Sequence, residues 1–316
     1  MENNCYFVNS HGILKSCTFY SPNPISSDGN DKDYLNKMIE SPNMFDKMSI
    51  YVCTNLLPYF LYNILPKINN TFYLISGDSD VSVTNVSINV YNNIKFLDKN
   101  ICLQILIHPK LIKWFAQNCV YKNENNILVN EKITQLPIGM DYHTISKNPN
   151  KFWRDTINEG YSTKYQEMIL KNMRLNMKPF YERINKIFVH MSNNSHRQLA
   201  LDQIPEELIE KKIIRMHRTN IWMEFINYAF VYSPYGAGFD CHRSWEILCL
   251  GCIPIIKSFG SNKMFEDLPV LIVDEWSDIT RKLLDDTIEK FKNTTFNYNK
   301  LSLKYWVDQF SDPPIL

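Results

Sequence analysis

The sequence predicts an α/β fold built from two Rossmann-like, doubly wound domains that face each other across a cleft. Three observations predict it. Short apolar runs of four to six residues alternate with longer segments of helical period, as a mostly parallel sheet covered by helices requires. The alternation occurs twice, on either side of a stretch around residues 145–180 where it lapses. A chain of 316 residues with 45% hydrophobic and 13% aromatic content is also long enough for two ordinary cores.

In the first half, Cys5–Val8, Ser49–Cys53, Thr71–Ser76 and Ile133–Leu136 read as strands. Leu56–Leu65 and part of His108–Gln117 read as helix. Ser162–Arg183 reads as one long, charged, amphipathic helix and marks the boundary. The second alternation is clearer. Strand Lys186–His190 precedes a helix near His196–Leu208 and strand Ile213–Met216; helix Ile221–Ala229 then precedes strand Phe230–Ser233. Helix His242–Leu250 leads to strand Ile253–Lys257, and strand Val270–Val273 leads to helix Ile279–Phe291. The expected division is an N-terminal acceptor domain (1–150), a linker helix (151–183), a C-terminal ligand domain (184–300) and a last helix (301–316) crossing back.

Charge removes several classes of partner. With 34 basic and 33 acidic residues the formal net charge is +1, so no whole-chain field steers the protein toward nucleic acid or an anionic membrane. The longest apolar stretch, Ile247–Ile256, is broken by Gly251 and Pro254 and is too short to span a bilayer. No secretory signal is legible, so the protein is expected to be soluble and cytoplasmic, and the N-x-S/T sequons at Asn69, Asn85, Asn193 and Asn293 are expected to be accidental. Eight cysteines sit mostly in apolar runs and read as reduced core residues. Cys249-x-x-Cys252 lacks the second ligand pair that a zinc site needs.

The richest stretch runs from Phe230 to Glu246. A strand ends at Ser233, Gly236 and Gly238 let the backbone approach a ligand, and a helix begins near Asp240. Free amides and the helix dipole make such a turn an anion site, although Asp240 as N-cap would compete for the same amides. Arg243 and Glu246 are three apart and share one helix face, offering a cation for a diphosphate and a carboxylate for two ribose hydroxyls. The plain alternative is a capped glycine turn with Arg243 and Glu246 as a solvated pair.

The run Ser233-Pro-x-Gly-x-Gly-x-Asp-x-His-Arg-x-Trp-Glu246, followed by Leu250-Gly-Cys-Ile-Pro-Ile-Ile256 and Phe265-Glu-Asp-Leu-Pro269, resembles the nucleotide-sugar domain of exostosin-like glycosyltransferases. The likeness covers about residues 221–280, with fainter similarity at Lys186–Arg197 and Leu136–His143. It implies a GT-B glycosyltransferase, hexosyl- or pentosyl-transferring, that moves a sugar from a nucleoside-diphosphate sugar, with a UDP-sugar as expected donor, to a glycan or protein hydroxyl. Glu246 would hold the ribose and Arg243 the diphosphate, with Ser233, Gly236, Gly238, Asp240 and His242 around them. Most members are anchored in the Golgi membrane; no such anchor is legible here, and their acceptors are not carried over. No cofactor and no metal are expected.

Other loops would complete the cleft. Arg197, with Asn193 and Ser195, follows a strand and is expected as a second phosphate clamp, an ordinary polar helix cap being the alternative. Arg215-Met-His-Arg218 would line the nucleoside pocket or lie on the surface. In the first half, Ser76-Gly-Asp-Ser-Asp80 offers Asp78 and Asp80 at a strand end, as an acceptor base or, in a metal-dependent GT-A enzyme, as ligands to Mg²⁺ or Mn²⁺. His11, in the turn Ser10-His-Gly12, is the third candidate base, and Asp141 a fallback. His108 and His143 read as structural. A module that binds sugar or nucleotide without turnover is the non-enzyme alternative.

Overall fold

The computed structural model describes residues 2–22, 32–41, 44–84, 94–120, 131–147, 162–190, 195–212, 216–259 and 262–311. It holds two parallel sheets. In the first, β1 (Met48–Cys53), β2 (Phe72–Gly77), β4 (Leu111–Gln117) and β6 (Ile133–Leu136) lie side by side in chain order, while β3 (Val83–Thr84) and β5 (Cys119–Val120) form a separate short pair. In the second, β7 (Ile184–Val189), β8 (Ile209–Lys211), β9 (Tyr228–Tyr232), β10 (Ile253–Lys257) and β11 (Leu271–Val273) stand in the order β11-β10-β9-β7-β8. Every strand pairing is parallel.

The second order places a reversal between β7 and β9. Chains leaving such neighbours diverge to opposite faces of the sheet, which opens a crevice beyond their carboxyl ends. The glycine turn follows β9 at this crevice, and Arg197 lies in the first turn of the helix Ser195–Leu201 that comes after β7. Among the described strands the first sheet has no reversal, so its contribution is an edge of loops rather than a crevice of its own.

Several expected elements differ. Cys5–Val8 forms no strand; Phe7 and Asn9 make isolated bridges to Ser302 and to Gly139 and Met140. His108–Gln117 gives strand β4, because Leu111-Ile-Lys-Trp-Phe-Ala lies between two neighbours where continuous burial favours β-branched and aromatic residues. The expected linker helix stops at Asn176, three residues before Pro179, whose ring cannot continue it. Likewise the helix after β7 stops at Leu201, ahead of Pro205. The expected strand Ile213–Met216 falls on residues 213–215, which with Arg215 lie outside the described residues; β8 is the strand described just before them. Helix Lys99–Leu106, capped by the Asp98 side chain on the Asn100 amide, was not anticipated.

The last segment returns to the first sheet. Leu303 donates its amide to the Tyr6 carbonyl at 2.8 Å, Val8 donates to Leu301 at 2.9 Å, and Phe310 packs on Phe115 at 5.5 Å. One apolar cluster accordingly runs from Phe7 and Phe115 through Trp245 and Phe265 to Trp306. Among the described residues no helix is long and apolar enough to cross a membrane.

Gly238 shows how tightly the two parts meet. A Cβ there would lie 2.6 Å from both Asn118 Nδ2 and Asn118 Oδ1. Asn118 is itself held, donating to the Ser79 carbonyl and accepting from the Asp240 amide, each at 3.0 Å. Gly238→Ala is therefore expected to destabilise the fold by about 1–3 kcal/mol, the usual range for overpacking. Denaturant unfolding of the variant checks this; an unchanged midpoint would mean that the Asn118 contact is not binding.

Candidate functional site

The glycine turn, the start of helix His242–Cys249 and one edge of the first sheet enclose a pocket of about 270 Å³. Arg197, Gly236, Gly238, Asp240, His242 and Arg243, all expected from the sequence, line it together with Asp80, Ile138, Pro234, Ala237 and Cys241. Residues 120 positions and more apart are thus brought to one place.

Two guanidiniums converge in the pocket, which Asp80 and Asp240 also line. Arg243 is half-buried and makes no hydrogen bond or ion pair with any described residue. Burial and the neighbouring Arg197 both disfavour its charge and pull its pKa down. Arg197 lies over Gly236, its Nη2 3.1 Å from where a Cβ would stand, and donates from Nε to the Tyr235 carbonyl at 3.4 Å. Two guanidiniums that repel one another in a confined space are stabilised by an anion between them. The adjoining helix adds to this field. Its N-cap, Cys241, makes no side-chain cap, while Arg174 and Arg183 donate to the Cys249 and Leu250 carbonyls at its other end.

Four expected ligand residues have other partners. Asp240 does not cap the helix. Its buried carboxylate, 4% exposed, accepts from Trp245 Nε1 at 2.9 Å and from the Ile138 amide at 2.7 Å. Ser233 is buried with its hydroxyl 2.9 Å from that of Ser244. The Gly236 amide donates to the Gly238 carbonyl at 3.1 Å, so it is spent inside the turn, and Gly238 is small because Asn118 presses on it. Asn193 lies outside the described residues. His242 keeps a place in the pocket. Its Nδ1 sits 2.7 Å from the Gly139 carbonyl, which can only accept, so that nitrogen carries the proton.

Glu246 pairs with Arg218 and not with Arg243. Arg218 Nε approaches Glu246 Oε1 at 3.5 Å, and the Glu246 carboxylate accepts no hydrogen bond from a described residue. Arg218 is thus largely buried, its side chain 14% exposed, and is not a surface residue.

The candidate bases also separate. Asp80 is exposed and lines the pocket. Asp78, at φ 52°, turns inward and places Oδ2 3.4 Å from His11 Nε2. The two aspartates, expected as a pair, therefore have different neighbours. His11 lies in the helix Ser10–Lys15, not in a turn, and is 1% exposed with neither ring nitrogen hydrogen-bonded. His143, expected to be structural, stacks on it with ring centroids 4.0 Å apart and planes 9° from parallel. His143 Nδ1 in turn faces Asp141 Oδ1 at 3.4 Å. Burial, assisted by His11 and His242, pushes the His143 pKa down to about 4 against the pull of Asp141 and Asp78. For Asp141, burial works to raise the pKa, but His242, Arg218, His143 and the Thr144 side chain together hold it well below the usual range.

Donor atoms of His11, Asp78 and His143 lie within 4.8 Å of one another. Imidazole binds a metal in its ring plane, and two parallel rings 4.0 Å apart do not aim in-plane lone pairs at one point. Without a ring rotation the trio is not arranged to hold a metal. Sequence reading missed it because its members come from three separate segments; the Asp-x-His spacing of Asp141 and His143 was the one local signal.

Compared with known proteins, the chain matches no family model and no curated protein sequence.

Burial raises the Asp240 pKa from 3.8 to about 6, outweighing the hydrogen bonds from Ile138 and Trp245. A carboxyl whose folded pKa is raised binds more protons folded than unfolded between those values, so its contribution to stability falls as pH rises through 4 to 6. Wild type should lose about 1–3 kcal/mol relative to Asp240→Asn between pH 4 and pH 7. Denaturant midpoints of both proteins at the two pH values measure this, and parallel pH curves would refute it.

Proposed function

We propose that this protein is a glycosyltransferase of the GT-B type that transfers a sugar from a nucleoside-diphosphate sugar, a UDP-sugar by the exostosin-like resemblance, to a hydroxyl. The observation that carries the reading is Arg243, a half-buried guanidinium without a partner, beside Arg197 in the crevice where the strand order reverses. A departing diphosphate develops negative charge as the glycosidic bond to the donor breaks. Preorganised cations at that position stabilise the transition state more than the ground state. Arg197, Arg243 and the open first turn of helix His242–Cys249 supply this. Glu246, a buried carboxylate with unmet acceptor capacity, suits the two hydroxyls of a ribose.

An inverting transfer needs a proton acceptor within reach of the acceptor hydroxyl. Asp80 fits best, since it borders the pocket while Asp78 and His11 are buried behind it. Separation of Asp78 from Asp80 also weighs against the metal-dependent GT-A alternative, which needs both carboxylates on one ion.

Arg243→Ala should weaken UDP binding roughly tenfold to a hundredfold, by loss of charge-assisted hydrogen bonds, without unfolding the protein. Calorimetric titration of the folded variant tests this; wild-type affinity in the variant would remove the donor site. Asp80→Asn should lower turnover by about 10²–10⁴ with UDP affinity nearly intact. Turnover itself is expected to persist in EDTA. Loss in EDTA with rescue by Mn²⁺ would favour the GT-A alternative, and UDP binding without any sugar release would favour a binding module.

A further inference from the structure

Arg218 opens the helix Arg218–Phe225 and is the one described cation that touches both the ligand helix and the buried imidazoles' partner. Its Nη1 donates to the Asp141 carbonyl at 2.6 Å and to Gln166 Oε1 at 3.3 Å. Nη2 donates to Asp141 Oδ2 at 3.3 Å, and Nε faces Glu246 Oε1 at 3.5 Å. The guanidinium also sits 6.0 Å from the Trp222 ring centroid, which helps to fix its plane.

We propose that Arg218 is a positioning residue that holds the Glu246 carboxylate and the Asp141–His143 pair in one geometry, so that a single guanidinium sets both the donor grip and the buried imidazoles. The inference rests on the donor role proposed above for Glu246. Three features carry it. Different edges of one rigid plane serve the two carboxylates, Nε for Glu246 and Nη2 for Asp141 with Nη1 on the Asp141 carbonyl, a division that a lysine ammonium cannot reproduce. Two carboxylates share one positive charge, so the trio keeps a net negative charge in a buried place. Glu246 therefore remains a strong acceptor for incoming hydroxyl donors and is held through Oε1 alone. Finally, Asp141 transmits the constraint, since its other oxygen faces His143 Nδ1 at 3.4 Å.

His143 is faced by Asp141 on its own segment, by His11 from the helix Ser10–Lys15, by Asp78 from the end of β2 and by His242 from the helix His242–Cys249. Arg218 reaches it through Asp141. Removing that cation leaves Asp141 free to stabilise the imidazolium, so His143 should titrate at higher pH.

The test uses full-length wild type, Arg218→Gln, Arg218→Lys, Glu246→Gln and the Arg218→Gln/Glu246→Gln double variant. UDP affinity is read by calorimetry, His143 titration by NMR on histidine-labelled protein, and folding by thermal melts. Arg218→Gln and Glu246→Gln should each weaken UDP binding about tenfold. The double variant should be no weaker than the poorer single, because both changes remove one interaction. Arg218→Gln should move the His143 midpoint upward. Arg218→Lys should restore that midpoint, for which a point charge suffices, and not the UDP affinity, for which the fork is needed. Additive losses in the double variant overturn the inference, as does an unmoved His143 midpoint in folded Arg218→Gln. Should Arg218→Gln not fold, Arg218→Lys decides by the same split, and equal retention of both properties overturns it. A wild type that binds no UDP shows that the donor reading has failed, and the inference falls with it.

Discussion

The Asp240 carboxylate is the constraint on which the arrangement of the pocket depends. It is buried and accepts two hydrogen bonds from opposite sides, one from Trp245 on the ligand helix and one from the Ile138 amide beside the first sheet. A buried carboxylate left with fewer donors costs several kcal/mol, so the turn, the helix and residue 138 hold a common position or all move together. Asn118 closes the same joint by accepting from the Asp240 amide and pressing on Gly238. The glycine turn is thus clamped by its own buried acid, which leaves the helix N-terminus uncapped and facing the pocket.

Charge is divided across this joint in a particular way. Positive charge, Arg197 and Arg243, gathers at the pocket beside the second sheet. Carboxylates gather on the other side, Asp78 and Asp141 buried with two stacked imidazoles and Asp80 exposed at the pocket wall. Arg218 is the exception, a cation set among the carboxylates, and it keeps that side from carrying three uncompensated charges at low dielectric.

Much of the second sheet was legible in the chain. Strands β7, β9, β10 and β11 coincide with apolar runs bounded by turn residues, because strands buried on both faces must be continuously apolar. Helix His242–Cys249 was equally clear from its glycine turn and from Gly251 at its end. The first sheet was harder. Leu111–Gln117 has a helix-compatible composition, and its place between β2 and β6 is a fact about neighbours, not about local preference. Cys5–Val8 looked like a strand because its burial is real, yet its backbone pairs only with isolated residues of the C-terminal segment and of the 139–140 turn.

The sequence by itself determined the parallel α/β architecture of the second half and the residue set of the pocket's ligand side, from Arg197 to Arg243. Those features are local, set by apolar period, glycine placement and helix spacing. Tertiary structure alone decided which polar groups were already engaged. Asp240 was taken up by Trp245 and Ile138, Ser233 by Ser244, Glu246 by Arg218 and Asp78 by His11, and Arg243 was left without a partner. A hydrogen bond or ion pair is fixed by distance in space between residues far apart in the chain, so no single-chain pattern could assign those pairs.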